Sequence, residues 1–419
     1  MTAPRGFLPT DADSARIEYM ARERYMPEPR HERKGVALCL SGGGFRAMLF
    51  HLGALRRLNE VGLLSRVTTI SSVSGGSIMS ALLAERLSEW PSSGTSIASA
   101  EWEERVVAPA RAFTRRNIRT GPIFKRLLPW NWLRSSAAVD ALTATYEREI
   151  STRALGAIPE HPRYVLCATD LGFGVNWVFE RTRVGDYQAG YAPPPPDWTL
   201  GRAVAASSAF PPLFNPMPVE REVRDSLKDG HAQEPERARV LRDLRLSDGG
   251  LYDNLALEPV WKDHAVVLCS DGGSPFAASD DRSLLQRLGR YVAVQGNQSG
   301  SVRKRWLIAS FIERKMEGTY WGIATDVRNY SANAVGYSGD LAANLIARIR
   351  TDLDAFSEAE QAVLENHGYL VCAAALQAHM SNAARAMPVR PPHEDWMDES
   401  RVRHALRLSP KRKVLGRRG

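Results

Sequence analysis

Cysteine is scarce and scattered. Cys39, Cys167, Cys269 and Cys372 are the only four in 419 residues, each set in an apolar segment and far from the others. Without paired spacing or a CxxC, a disulfide framework and a zinc ribbon are both excluded, and buried reduced thiols are expected. No uninterrupted apolar run approaches the roughly 20 residues of a membrane span. The first thirty residues lack a positively charged start leading into an apolar stretch, so no secretory signal is expected and cytoplasm is the default compartment. No His/Cys/Asp cluster has ligand spacing, and there is neither an oxygen-rich calcium loop nor a Walker lysine. No metal and no organic cofactor are therefore expected.

Acid is missing from two particular stretches. The net charge of +8 is carried by Arg401, Arg403, Arg407, Lys411, Arg412, Lys413, Arg417 and Arg418, so the rest of the chain is balanced. That balance argues against a nucleic-acid-binding body. The tail, residues 401–419, reads either as a solvated end or as an electrostatic tether to anionic lipid. Residues 106–139 also lack acid while carrying Arg111, Arg115, Arg116, Arg119, Lys125, Arg126 and Arg134, with Trp130 and Trp132 at their centre. Aromatics interleaved with cations suit a water–lipid boundary; a basic helical insertion packed on the body is the alternative.

What is present is an alternation of strands, glycine turns and helices. Val36–Leu40 is a short apolar strand, Ser41-Gly42-Gly43-Gly44 a glycine loop, and Phe45–Leu58 a helix-period segment. Val67–Ser71 is β-branched and runs into Ser72-Val73-Ser74-Gly75-Gly76, after which Ile78–Ala84 opens a helix. A parallel sheet covered by helices follows from this order. Further strands are expected at Tyr164–Thr169, Val240–Leu246 and His264–Cys269. A small-residue helix is expected over Ala203–Asn215, stopped by Pro211 and Pro212, and a capping box at Ser357–Glu360. The expected organisation is an arm at 1–34 and an α/β core at 35–275. Two insertions interrupt that core, the basic one at 106–139 and a charged, exposed one at 220–239. A mostly helical extension follows at 276–388, then a basic tail at 389–419.

Ser74 carries the chemistry. A serine on a sharp strand-to-helix turn exposes its Oγ, and the two glycines after it leave room for backbone to approach. About thirty residues upstream, glycines at a helix N-terminus direct free N–H groups toward one place, where a developing oxyanion could be held. Asp248 and Asp271 both end strands in Asp-Gly-Gly, and either could serve as the acid. His51, on the helix after the glycine loop, reads as a packed side chain. Arg46 could orient the loop, meet a phosphate, or lie on the helix surface.

The ordered set Ser41-Gly42-Gly43-Gly44-Phe45-Arg46-Ala47, Ser72-Val73-Ser74-Gly75-Gly76, Ala206-Ser207-Ser208-Ala209-Phe210-Pro211-Pro212 and Asp248-Gly249-Gly250-Leu251-Tyr252-Asp253-Asn254 resembles the patatin-like lipid acyl hydrolases. The resemblance covers roughly residues 35–275. It implies a three-layer α/β fold with a mostly parallel central sheet, and cleavage of carboxylic esters in phospholipids or lysophospholipids. Ser74 would be the nucleophile, Asp248 the general base, and Gly42, Gly43, Gly44, Phe45, Arg46 and Gly75 the oxyanion donors. Ser72 and Ala47 stand where glycines are usual, and both are small. An acyltransferase or thioesterase would use the same acyl-enzyme. Two further rivals are weighed: a Ser74 triad completed by His264 or His367, and a dinucleotide fingerprint over Gly42–Ala47. The fingerprint lacks its ribose-binding acid, because the second strand runs into Ser74 instead.

Overall fold

In the computed structural model the described residues are 32–127, 136–211, 214–276, 284–407 and 409. Most of the expected arm, Trp130 and Trp132, and residues 410–419 of the tail lie outside them.

Strand β1 (Val36–Leu40) is flanked by parallel neighbours on both sides, which is why it reads as a continuous apolar run rather than an alternating one. Its Leu38 and Leu40 face one apolar cluster, while Ala37 and Cys39 face a second. Helix α1 (Gly44–Glu60) leads to β2 (Val67–Val73), and α2 (Gly75–Arg86) follows directly. β3 (Arg163–Asp170) pairs parallel with β2, so the C-terminal ends of β1, β2 and β3 share one edge.

Beyond β3 the sheet turns antiparallel through β4 (Val175–Phe179), β5 (Val184–Asp186) and β6 (Gly190–Ala192). After α3 (Leu200–Ser207) and β7 (Met217–Pro218), β8 (Arg245–Asp248) returns antiparallel to β3, with Asp248 opposite Ala168. The short α4 (Gly250–Asp253) leads to β9 (Val266–Asp271) on the far side of β1. Helix α5 (Leu284–Ile312) then crosses over to β10 (Glu317–Gly322), parallel to β9 at the edge. Helix α6 (Glu358–His379) packs on α1, and α1 and α5 lie on opposite faces, giving three layers.

Two expectations are corrected. The helix expected over 203–215 is α3, which ends at Ser207. The segment read as a strand from Val240 is a short helix, Glu236–Leu241, and β8 begins only at Arg245. Beyond residue 280 the chain supplies an edge strand as well as helices. Two glycines in Glu317–Gly322 mask the strand signal. Gly318, at φ 133°, is needed where a Cβ would come within 1.9 Å of the Val267 carbonyl. The capping box forms as expected. Ser357 Oγ accepts from Glu360 N–H (3.3 Å), and the Glu360 carboxylate accepts from Ser357 N–H (2.7 Å).

Candidate active site

Ser74 sits between β2 and α2 at φ 51°, ψ −115°, a left-handed conformation that a side chain rarely adopts. Its neighbours explain why two glycines follow. A Cβ on Gly75 would stand 2.2 Å from the Gly44 carbonyl oxygen, and one on Gly76 would stand 2.2 Å from that of Leu40. The turn is held from behind by Ser207. Its hydroxyl accepts from Ser74 N–H (3.0 Å), donates to the Cys167 carbonyl (2.6 Å) and lies 2.8 Å from Ser77 Oγ.

Asp248, at the end of β8, is brought to the same place by β3, which pairs with both β2 and β8. Its carboxyl accepts from Gly250 N–H (2.8 Å) and is close enough to the Ser74 side chain to feel it. Burial raises its pKa to about 6, against the opposing pull of the Gly250 amide and the Ser74 side chain. Asp271 is in the opposite situation. Burial raises its pKa, but Lys304 Nζ (2.9 Å), Tyr320 Oη (2.6 Å) and Gly273 N–H outweigh that and hold it below the ordinary range. It is an ion-paired carboxylate.

The donors around Ser74 narrow the expected oxyanion set. Gly42 N–H is taken by the Asn254 carbonyl (3.1 Å), and Phe45 N–H by that of Asp352 (3.0 Å). The N–H groups of Gly43, Gly44, Arg46 and Gly75 have no acceptor among the described residues. Gly43, at φ 143°, presents its amide in a conformation other residues avoid.

The Arg46 side chain is buried, which corrects the helix-surface reading. Its Nε and Nη2 donate to the Gly272 carbonyl (3.1 and 2.9 Å), and Nη1 donates to the Ile349 carbonyl (2.9 Å). Burial lowers its pKa to about 10. The side chain therefore anchors the glycine loop to two other loops. His51 is packed between Ser270 Oγ (2.8 Å) and the Ser41 carbonyl (2.9 Å), and burial lowers its pKa to about 4.

Neither rival histidine reaches Ser74. His264 contacts Thr69 Oγ1 (2.8 Å), five residues back along β2 and so about 16 Å away. His367 lies on α6 against the Ile323 carbonyl (2.7 Å). Sequence reasoning assigned no role to Ser207, Asn254 or Asp352. The first two lie inside motifs already singled out. Asp352 has no local signal, because it meets Phe45 across 307 positions. Among the described residues no helix is long and apolar enough to cross a membrane, and no three His, Cys, Asp or Glu side chains gather into a metal site.

Residues 38–261 match the family described as Patatin-like phospholipase. A patatin-like phospholipase domain-containing protein of Aspergillus oryzae is 31% identical over 190 residues, 45% of this chain and 23% of its own length. One from Aspergillus clavatus is 30% identical over 190 residues, 45% of this chain and 24% of its own. The chain thus covers about a quarter of the length of the curated relatives it matches. Among solved structures, human GIVD cytosolic phospholipase A2 in complex with methyl gamma-linolenyl fluorophosphonate is similar at TM-score 0.42 and 14% identity, covering 86% of this chain and 62% of that one. VipD from Legionella pneumophila is similar at TM-score 0.34 and 14% identity, covering 84% of this chain and 68% of that one.

Proposed function

The chain belongs to the patatin-like phospholipase family, and from that premise we propose that it hydrolyses carboxylic esters of membrane phospholipids or lysophospholipids, with Ser74 as nucleophile and Asp248 as general base. One observation carries the reading: the carboxyl of Asp248, on which the Ser74 side chain acts, is 3% exposed, and burial raises its pKa to about 6. Such a group is ionised at neutral pH yet basic enough to take a proton as the ester carbonyl is attacked.

Ser74 Oγ bonds to the acyl carbon and its proton passes to Asp248. The carbonyl oxygen becomes an oxyanion in reach of the amides of Gly43, Gly44 and Gly75, which have no acceptor among the described residues. The intermediate collapses as the bond to the alcohol breaks, and Asp248 returns the proton to the leaving oxygen. Water then adds to the acyl-enzyme and gives its proton to Asp248. Ser74 recovers a proton as the fatty acid leaves.

Contact with a membrane surface through residues 106–139 and the 401–419 tail belongs to the same reading. Its support is the acid-free composition of both stretches and Phe124, 53% exposed on the helix Thr120–Leu127. Equal liposome binding by Trp130→Ala, Trp132→Ala and wild type would remove the 106–139 contact.

The decisive experiment is labelling by a fluorophosphonate serine probe, followed by fatty-acid release from phospholipid vesicles. Wild type is expected to label and hydrolyse, and Ser74→Ala to do neither. Asp248→Asn is expected to label far more slowly. If Asp271→Asn is the silent variant and Asp248→Asn reacts normally, the acid is misassigned.

A further inference from the structure

Helix α5 is longer than its place in the fold requires. It joins two parallel neighbours of six residues each, β9 and β10, which are about 20 Å long, whereas its own 29 residues span about 43 Å. The packed part is its second half. Ser299 Oγ donates to the Tyr252 carbonyl (3.3 Å), Arg303 pairs with Glu258 (3.0 Å), and Lys304 reaches Asp271 at the end of β9. Trp306 stacks edge-on against Trp261 and Leu307 is fully buried.

Because α5 runs opposite to β9, residues 284–298 precede these contacts. They make a segment about 22 Å long on the strand C-terminal side, where Lys304 meets Asp271 at the end of β9 and where Ser74 also lies. Tyr291 is 58% and Val294 38% exposed there, and Arg290 stacks on Phe276 (4.0 Å), itself 40% exposed. At 100° per residue, Arg287, Arg290, Tyr291, Val294 and Gln298 fall within about a third of the helix circumference. Residues 284–298 carry two cations, Arg287 and Arg290, and no acid. The same edge exposes Leu171 after β3 and Phe210 beside the Asp248 backbone.

We propose that residues 284–298 form a docking element for an anionic lipid bilayer, with Tyr291 and Val294 entering the interface while Arg287 and Arg290 meet lipid phosphates. Charge complementarity selects this partner: exposed Tyr291 and Val294 share one face with two cations and no acid, a pattern that suits an interfacial helix. The proposal deepens the lipid-hydrolase reading and takes its purpose from it, since docking here brings the Ser74 edge against the membrane.

The test is a Tyr291→Cys variant of the full chain carrying an environment-sensitive fluorophore. The four native cysteines are buried, so labelling is selective. Adding vesicles of phosphatidylcholine with phosphatidylglycerol is expected to shift the emission to the blue. Pure phosphatidylcholine is expected to do so weakly, and added salt to reverse the shift. In unlabelled protein, Tyr291→Ser with Val294→Ser is expected to weaken vesicle co-sedimentation at least about tenfold, with an unchanged melting temperature.

No blue shift with anionic vesicles overturns the proposal. So does emission already blue without lipid: concentration dependence would then mean a second copy covers the face, and its absence would mean a segment of the same chain does. Hydrolysis of a monomeric short-chain ester separates the two readings. If the ester is cleaved but vesicles are not bound, docking fails and the hydrolase stands. If vesicles shift the probe but neither ester nor phospholipid is cleaved, docking stands and the hydrolase fails.

Discussion

Ser74 occupies a backbone conformation that costs on the order of 1–3 kcal/mol and persists only where neighbours enforce it. Ser207 is the neighbour that does so, through the hydrogen bond it accepts from Ser74 N–H. Removing that hydroxyl leaves the fold intact but lets the turn relax, shifting Oγ relative to Asp248 and the amides. Ser207→Ala is therefore expected to lower kcat on a soluble ester about ten- to a hundredfold with KM nearly unchanged, and Ser207→Thr to restore part of it. A variant that raises KM alone would place Ser207 outside this role. Asp248 makes a second residue-scale prediction. With its pKa raised to about 6 by burial, kcat/KM is expected to rise with pH through about 6 and then level off. A profile already flat at pH 5 would mean that the base is a solvated carboxylate.

At the scale of elements, close backbone approach decides more than apolar patterning does. Helices α1 and α6 cross where a Cβ on Gly53 would stand 1.9 Å from the Glu365 carbonyl oxygen, and one on Gly368 would stand 1.8 Å from that of Phe50. Neither glycine is flagged by its own sequence neighbourhood, because the reason for it lies on the other helix. Gly368→Ala is expected to cost about 1–3 kcal/mol or more, read as a fall in melting temperature. The capping box was legible because both its partners lie three residues apart. Ser357→Ala is expected to cost only about 1 kcal/mol. The strand β10 was not legible, since an edge strand with two glycines owes its pairing to β9 rather than to its own residues.

For the whole molecule, buried carboxyls set the pH dependence of stability. Asp170 and Asp186 are both almost fully buried, each with one carboxyl oxygen left without a hydrogen bond among the described residues, and burial together with the charge of Asp170 pushes Asp186 up to about 7. The folded chain thus holds a proton that the unfolded chain releases nearer pH 4. Stability from this pair is complete below that value and is lost as pH rises toward 7. Asp186→Asn keeps the oxygen that accepts from Gln188 and Ala189 and adds a permanent donor toward Asp170. Its melting temperature is expected to exceed that of wild type at pH 8, the gap closing toward pH 4. A chain ending at residue 275 is expected not to fold, because it lacks β10, the α5 layer and the α6 cover of α1.

The strand–loop–helix order, the elbow at Ser74 and the glycine loop were readable from the sequence alone, because each depends on residues adjacent along the chain. The choice between Asp248 and Asp271 was not settled by the matching tripeptides. What separates the two in the fold is Lys304 and Tyr320, which reach Asp271 from a helix and a strand further along the chain, whereas no cation pairs with Asp248 among the described residues. Which amides stay free was likewise decided in three dimensions, by the carbonyls of Asn254 and Asp352. Local sequence determines which conformations the backbone can take; burial and charge pairing, which set how a carboxyl titrates, exist only once distant segments have packed together.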